Sequence, residues 1–170
     1  SLSGDGLTLA AGGDKGAIYI WDLRQPEKTA MMLQHPAPVG VKTPIINLTM
    51  DYFGTVVATA SNTSGEGAEA SKGIVTVWDR LAGKIIGDLV QLDEGVSAIA
   101  IHRERQLLGI GLHDGVVHVL NFRALEEAVP EMKHPSAVTS LSFIADATTL
   151  TVGDGGGYLH VWDMQKGRPL

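Results

Sequence analysis

Residues 153–163 read GDGGGYLHVWD, four glycines in five positions followed by an apolar alternation that closes on Trp162-Asp163. A phosphate cradle would place its glycines between a strand and a helix whose first amides hold the anion. Here YLHVWD follows, which alternates like a strand, and no Gly-Lys-[Ser/Thr] comes after the glycines. The glycines therefore serve a hairpin turn, where they take positive φ without strain. The fold then depends on whether this hairpin recurs along the chain.

It recurs. A shift of 42 residues lays VSAIAIHRERQLLGIGLHDGVVHVLN (96–121) on VTSLSFIADATTLTVGDGGGYLHVWD (138–163) without a gap. The start, SLSGDGLTLAAGGDKGAIYIWD, joins with a shift of 141 and places Trp21 on Trp162. A fourth copy, PIINLTMDYFGTVVATAS…KGIVTVWD, fits once about a dozen residues after Ser61 are set aside. The copies end at Trp21-Asp22, Trp78-Asp79, Leu120-Asn121 and Trp162-Asp163. Each copy reads as an apolar strand, a polar turn, a second apolar strand, a Gly/Asp turn, an alternating third strand such as Val75-Thr76-Val77-Trp78, and a looser fourth segment. A small sheet of this kind cannot bury both faces alone, and radial stacking of the copies solves that problem. The copies are expected at 1–33, 44–91, 96–133 and 138–170.

Composition agrees with a globular all-β chain. Apolar residues make up 44 % and charged residues 19 % of 170, enough for a real core. With 13 basic and 19 acidic side chains the net charge is −6, and the densest basic stretch, HRER at 102–105, contains a glutamate. Nucleic acid is therefore not an expected partner. Cysteine is absent, which removes disulfides and thiolate metal sites. No apolar run approaches the length of a membrane span, so no membrane partner is expected. The sequons at Asn47 and Asn62 matter only on a secretory route, and Asn47 falls inside a predicted strand.

From the inter-copy His134 to the terminal Trp-Asp, HPSAVTSLSFIADATTLTVGDGGGYLHVWD resembles the WD40 repeat family. The resemblance extends over about four copies and implies a β-propeller, each blade a four-stranded antiparallel sheet. It also implies a cytoplasmic or nuclear protein-interaction scaffold without catalysis or cofactor. A propeller binding a modified peptide or a small ligand at its central channel is the alternative. In the family, an Asp six residues before the Trp, a Ser or Thr on the second strand and a His from the preceding loop link to the Trp. Here Asp114 holds the Asp position only where Leu120 has replaced the Trp, and the other copies carry Lys15, Lys72 and Gly156. Thr59 is the one hydroxyl at the second-strand position, where the other copies have Ala11, Ile110 and Val152. His134 is well placed for the last copy, while Leu92 replaces it in the third. No copy shows the full set, so blades held mainly by apolar packing are expected. The structural repeat residues are Trp21, Asp22, Trp78, Asp79, Asp114, His134, Trp162 and Asp163.

Neither end carries a spare strand to complete a last sheet. About four blades of a larger ring are expected, the rest coming from further chain or, as the lesser alternative, from a second copy. His118 and His160 share one repeat position, but no carboxylate recurs beside them, and strand histidines are expected rather than metal ligands. No Ser sits in a G-x-S-x-G setting, and no acid, base and nucleophile converge by pattern. Two insertions remain: HPAPVGVKT (35–43) ahead of the second copy, and NTSGEGAEASKG (62–73) between its second and third strands. Strand alternation brings both to one edge of one blade, which makes His35, Lys42, Asn62, Glu66, Glu69 and Lys72 the candidate protein-binding residues. RALEEAVPEMK (123–133) looks briefly helical, or like an edge strand broken by Pro130.

Overall fold

The computed structural model describes residues 1–37, 41–63, 72–144 and 146–170. They divide into two compact units, Ser1–Gly95 and Val96–Leu170, each holding two antiparallel sheets. Among the described residues there is no helix, and so none long and apolar enough to cross a membrane.

In the first unit, sheet 1 comprises β1 (Thr8–Gly12), β2 (Ala17–Asp22) and β3 (Met31–Gln34). Sheet 2 comprises β4 (Ile45–Met50), β5 (Val56–Asn62), β6 (Gly73–Asp79), β7 (Lys84–Ile85) and β8 (Val90–Leu92), with β7 and β8 both pairing with β6. In the second unit, sheet 3 comprises β9 (Val96–His102), β10 (Leu107–Leu112), β11 (Val116–Asn121), β12 (Glu126–Glu127) and β13 (Met132–Lys133). Sheet 4 comprises β14 (Val138–Phe143), β15 (Thr149–Asp154), β16 (Leu159–Asp163) and β17 (Arg168–Pro169). The brief helical look of 123–133 resolves into β12 and β13. Pro130 lies between them, and a residue without an N–H is tolerated on a sheet edge but cannot continue a ladder.

One register repeats in all four sheets. The position that ends in Trp-Asp faces an apolar residue of the second strand: Leu9↔Trp21, Val57↔Trp78, Leu108↔Leu120 and Leu150↔Trp162. Because side chains alternate with period two, this pairing sends the Trp of each copy to the same side of its sheet. The opening glycine stretch is the turn between β15 and β16, with Gly157 at φ +84.

Within each unit the core lies between its two sheets. In the first, Ala10, Ile18, Ile20 and Leu33 of sheet 1 pack with Met50, Val57 and Trp78 of sheet 2. In the second, Ala98, Val117, Val119 and Met132 meet Val138, Leu150 and Val152, with Trp162 against them. Gly12 and Gly111 hold equivalent places on their sheets, and each lies against the first strand of the next sheet. A Cβ would strike Ile45 at the one and Val138 at the other. Glycine there sets how closely two sheets approach. Strands β5 and β6 are buried on both faces through Ser61 and Trp78, which explains their near-continuous run of small and apolar residues.

Candidate functional site

The residue after each Trp position has one task in every sheet. Asp22 Oδ1 accepts the Arg24 N–H at 3.0 Å, and Asp79 Oδ1 accepts the Ala82 N–H at 2.9 Å. Asn121 Oδ1 accepts from Arg123 and Ala124, and Asp163 Oδ1 from Gln165 and Lys166. An Asx oxygen at this point satisfies the backbone donors of the turn that leaves the third strand. The Arg24 side chain adds two further bonds to Asp22, at 2.8 and 2.6 Å, and together with the Arg24 backbone N–H these pull the Asp22 carboxyl down to about 2.

The Trp side chains are tied in two different ways. In sheet 2 the Trp78 Nε1–H donates to Thr59 Oγ1 at 3.0 Å, and the same hydroxyl lies 3.1 Å from His35 Nδ1. All three residues are buried, His35 to 1 % exposure. The His35 side chain thus points into the sheet packing rather than outward. The residue follows β3, donates its N–H to Gly16 O at 2.8 Å, and turns inward on Thr59. Burial alone pushes its pKa down to about 4, so the ring is neutral. Trp78, Thr59 and His35 are thus joined through one hydroxyl.

In sheet 4 the second-strand position is Val152, which has no hydroxyl, and Trp162 Nε1 donates directly to His134 Nε2 at 3.0 Å. His134 Nδ1 lies 3.0 Å from Gly115 O, so that nitrogen carries the proton and Nε2 is the acceptor. The missing family aspartate at Gly156 is made up by Asp154, two residues earlier. Its Oδ1 accepts the Gly156 and Tyr158 N–H groups, each at 3.0 Å, and Oδ2 lies 2.9 Å from His160 Nε2. The His160 bond first, then the Tyr158 N–H, hold Asp154 below the ordinary carboxylate range. His160 is therefore paired with Asp154, and its ring lies 4.7 Å from that of His134. Sequence reasoning missed Asp154 because it looked for the aspartate in the exact repeat register, whereas the glycine turn lets a carboxylate reach the same amides from upstream.

Among the described residues Asp114, the one aspartate in register, accepts the Val116 N–H of its own turn. Its sheet has Leu120 in place of a Trp, so there is no indole to fasten. His118 pairs instead with Glu127 across to β12 at 2.8 Å. In sheet 1 the face equivalent to those of Trp78 and Trp162 carries Leu9, Tyr19, Trp21 and Met32, and it is uncovered within its unit; Met32 is 60 % exposed. Among the described residues no group of three His, Asp or Glu side chains is placed to hold a metal.

Of the residues the sequence offered to a partner, Lys42 and Lys72 are exposed, and Lys72 pairs with Asp93 at 3.1 Å. Asn62 closes β5 and is half-buried. Glu66 and Glu69 lie outside the described residues. On the opposite edge of sheet 2, the β4–β5 turn presents two exposed aromatic rings that sequence reasoning passed over. Tyr52 is 63 % and Phe53 56 % exposed, edge to face with centroids 5.0 Å apart. Leu81, in the β6–β7 turn, lies on the same edge and is also exposed.

Antiparallel sheets in one repeated register, each closing its third strand on Trp-Asp or Leu-Asn, define an all-β protein of propeller-type blades. Residues 129–163 match the WD40 family model, described as "WD domain, G-beta repeat". The matched stretch runs from β13 through β16. A chain from a crystal structure of the mitotic checkpoint complex superposes with a TM-score of 0.74 at 17 % identity. The match covers 99 % of this chain and 46 % of that one, so this chain spans about half the length of its structural relative. Chains of known structure that match number 1106, which marks the fold as widely shared rather than diagnostic of one activity. A search of curated proteins returned no match.

Proposed function

We propose that this chain is a non-catalytic platform for protein–protein contact, part of a larger ring of WD40-type blades. The observation that carries the proposal is the Tyr52–Phe53 pair. Two large aromatic rings stand in solvent at a turn whose backbone is held rigidly from inside, since Asp51 accepts bonds from the Thr55 N–H, the Thr55 hydroxyl and the Val56 N–H. Exposed aromatics on a fixed turn are the side chains that anchor protein interfaces. The solved relative belongs to a multi-protein complex, which supports the same reading.

Two further surfaces belong to the proposal. Lys42, Asn62 and Lys72 form a loop edge for partners on the side opposite Tyr52, and Glu66 and Glu69 are proposed as partner-binding residues from the sequence alone. The Leu9, Tyr19, Trp21 and Met32 face receives another blade of the ring. Partner capture separates the surfaces. Tyr52→Ser/Phe53→Ser is expected to reduce binding at least tenfold, with circular dichroism unchanged. Shortening the loop at 64–71 is expected to reduce it if that edge contributes. Undiminished capture by both variants would remove the scaffold assignment from these edges.

A further inference from the structure

Among the described residues four buried side-chain atoms have no hydrogen-bond partner: Arg80 Nε, just after β6, and a group of three, His35 Nε2, Ser61 Oγ and Thr76 Oγ1. The three belong to one face. Thr59 pairs across to Thr76, and Ser61 follows Thr59 by two positions on β5, so all three hydroxyls point to the same side of sheet 2. His35 lies over that side, bonded to Thr59. Buried polar atoms are otherwise almost always paired, with protein or with ordered water.

The fourth blade shows what these positions hold when they are filled. Ser61 stands four residues beyond Val57, and Asp154 stands four beyond Leu150; Val57 and Leu150 are the partners of Trp78 and Trp162. Thr76 and His160 each precede their Trp by two. Ser61 and Thr76 are therefore the counterparts of Asp154 and His160, which bond to each other at 2.9 Å. His35 is the counterpart of His134: each follows the last strand of the preceding sheet and donates its N–H to a turn glycine, Gly16 or Gly115. Replacing Asp and His by Ser and Thr removes roughly five side-chain heavy atoms, more than the size of one water molecule. The two short hydroxyls cannot span the distance that the longer pair closes.

We propose that this strip is a binding site for ordered internal water, one or two molecules bridging His35 Nε2, Ser61 Oγ and Thr76 Oγ1. The bonding pattern supplies both kinds of partner. The Thr59 hydroxyl accepts from Trp78 and gives its own proton to His35 Nδ1 at 3.1 Å, a better acceptor position than Thr76 O at 3.5 Å. His35 then carries its proton on Nε2 and donates to the water, while the two hydroxyls rotate to accept or donate. Three polar partners are what a buried water requires. Water here takes the place of the Asp154–His160 pair and completes a staple that the protein's own side chains leave open. The inference concerns the interior of the blade and stands apart from the scaffold assignment.

Water–protein cross-relaxation by NMR on the whole chain tests it directly. The wild type is expected to show a long-lived water signal to the His35 imidazole and the Thr76 side chain. In Ser61→Asp/Thr76→His, which installs the fourth blade's pair, that signal is expected to vanish. If that double variant fails to fold, Thr76→Val serves, and its water signal at His35 is expected to weaken severalfold. No long-lived water at His35 in the wild type, or an undiminished signal in the folded variants, overturns the proposal.

Discussion

Trp162 donates its indole N–H straight to His134 Nε2 at 3.0 Å, whereas Trp78 reaches its histidine through the Thr59 hydroxyl. The direct bond demands a neutral imidazole. A proton on His134 Nε2 would face the Trp162 N–H, donor against donor. Burial is the main cause that holds the His134 pKa below its ordinary 6.5. The unfolded chain takes up this proton near 6.5 and the folded chain only at lower pH, so stability is full above 6.5 and declines as pH falls toward the folded value. The Trp162 indole N–H resonance is expected to move in that window. His134→Phe is expected to abolish the movement at a cost of about 1 kcal/mol.

His35 gives the larger acid effect. Its pKa is lowered from 6.5 to about 4 by burial, so between those values the unfolded state binds one more proton than the folded state. Stability is therefore lost as pH falls from 6.5 to about 4, by on the order of 3 kcal/mol. Urea unfolding at neutral pH and near pH 4 measures the loss, and His35→Leu should flatten the slope. A His35 ring that titrates at 6.5 by NMR contradicts the assignment.

The Thr59 hydroxyl is separable from its methyl group. Thr59→Val keeps shape and branching but leaves the buried Trp78 N–H without an acceptor, which costs ~1–3 kcal/mol. Thr59→Ser keeps the relay and loses only the methyl, so it should retain the indole hydrogen bond and unfold between the two. Equal stability of the Val variant and the wild type would show that the relay contributes nothing.

Close approach of sheets 3 and 4 can be read from two glycines. A Cβ at Gly111 collides with Val138, whereas one at Gly155 meets only ordinary contacts, the nearest at 3.5 Å. Gly111→Ala is therefore expected to destabilise by ~1–3 kcal/mol through overpacking. Gly155→Ala should stay within ~0.5 kcal/mol of the wild type. Denaturant midpoints of the two variants, compared side by side, decide it.

Much of the architecture was legible in the residue pattern because it rests on local and periodic information. Leu9, Val57, Leu108 and Leu150 face Trp21, Trp78, Leu120 and Trp162 with one register, and the 42-residue repeat carries that register in the letters themselves. The Asp or Asn after each Trp position caps the turn two or three residues away, a relationship confined to one short stretch of chain. Chain neighbours set it, so no distant part of the fold could alter it.

The side-chain links between sheets were not legible, because each joins residues brought together only by packing. His35 looked like a loop residue ahead of an insertion, and 24 positions separate it from the Thr59 hydroxyl that claims it. Asp154 stood two places out of register, and only the path of the glycine turn shows that its carboxylate reaches the Gly156 and Tyr158 amides and His160. The exposure of Tyr52 and Phe53 also waited on the fold, since an aromatic pair in sequence is as ready for a core as for a surface. Short-range periodicity is enough to set the repeat, the strands and their register. Tertiary structure alone decided which polar groups are buried together and which apolar ones face solvent, because burial is a property of what the neighbouring sheet covers.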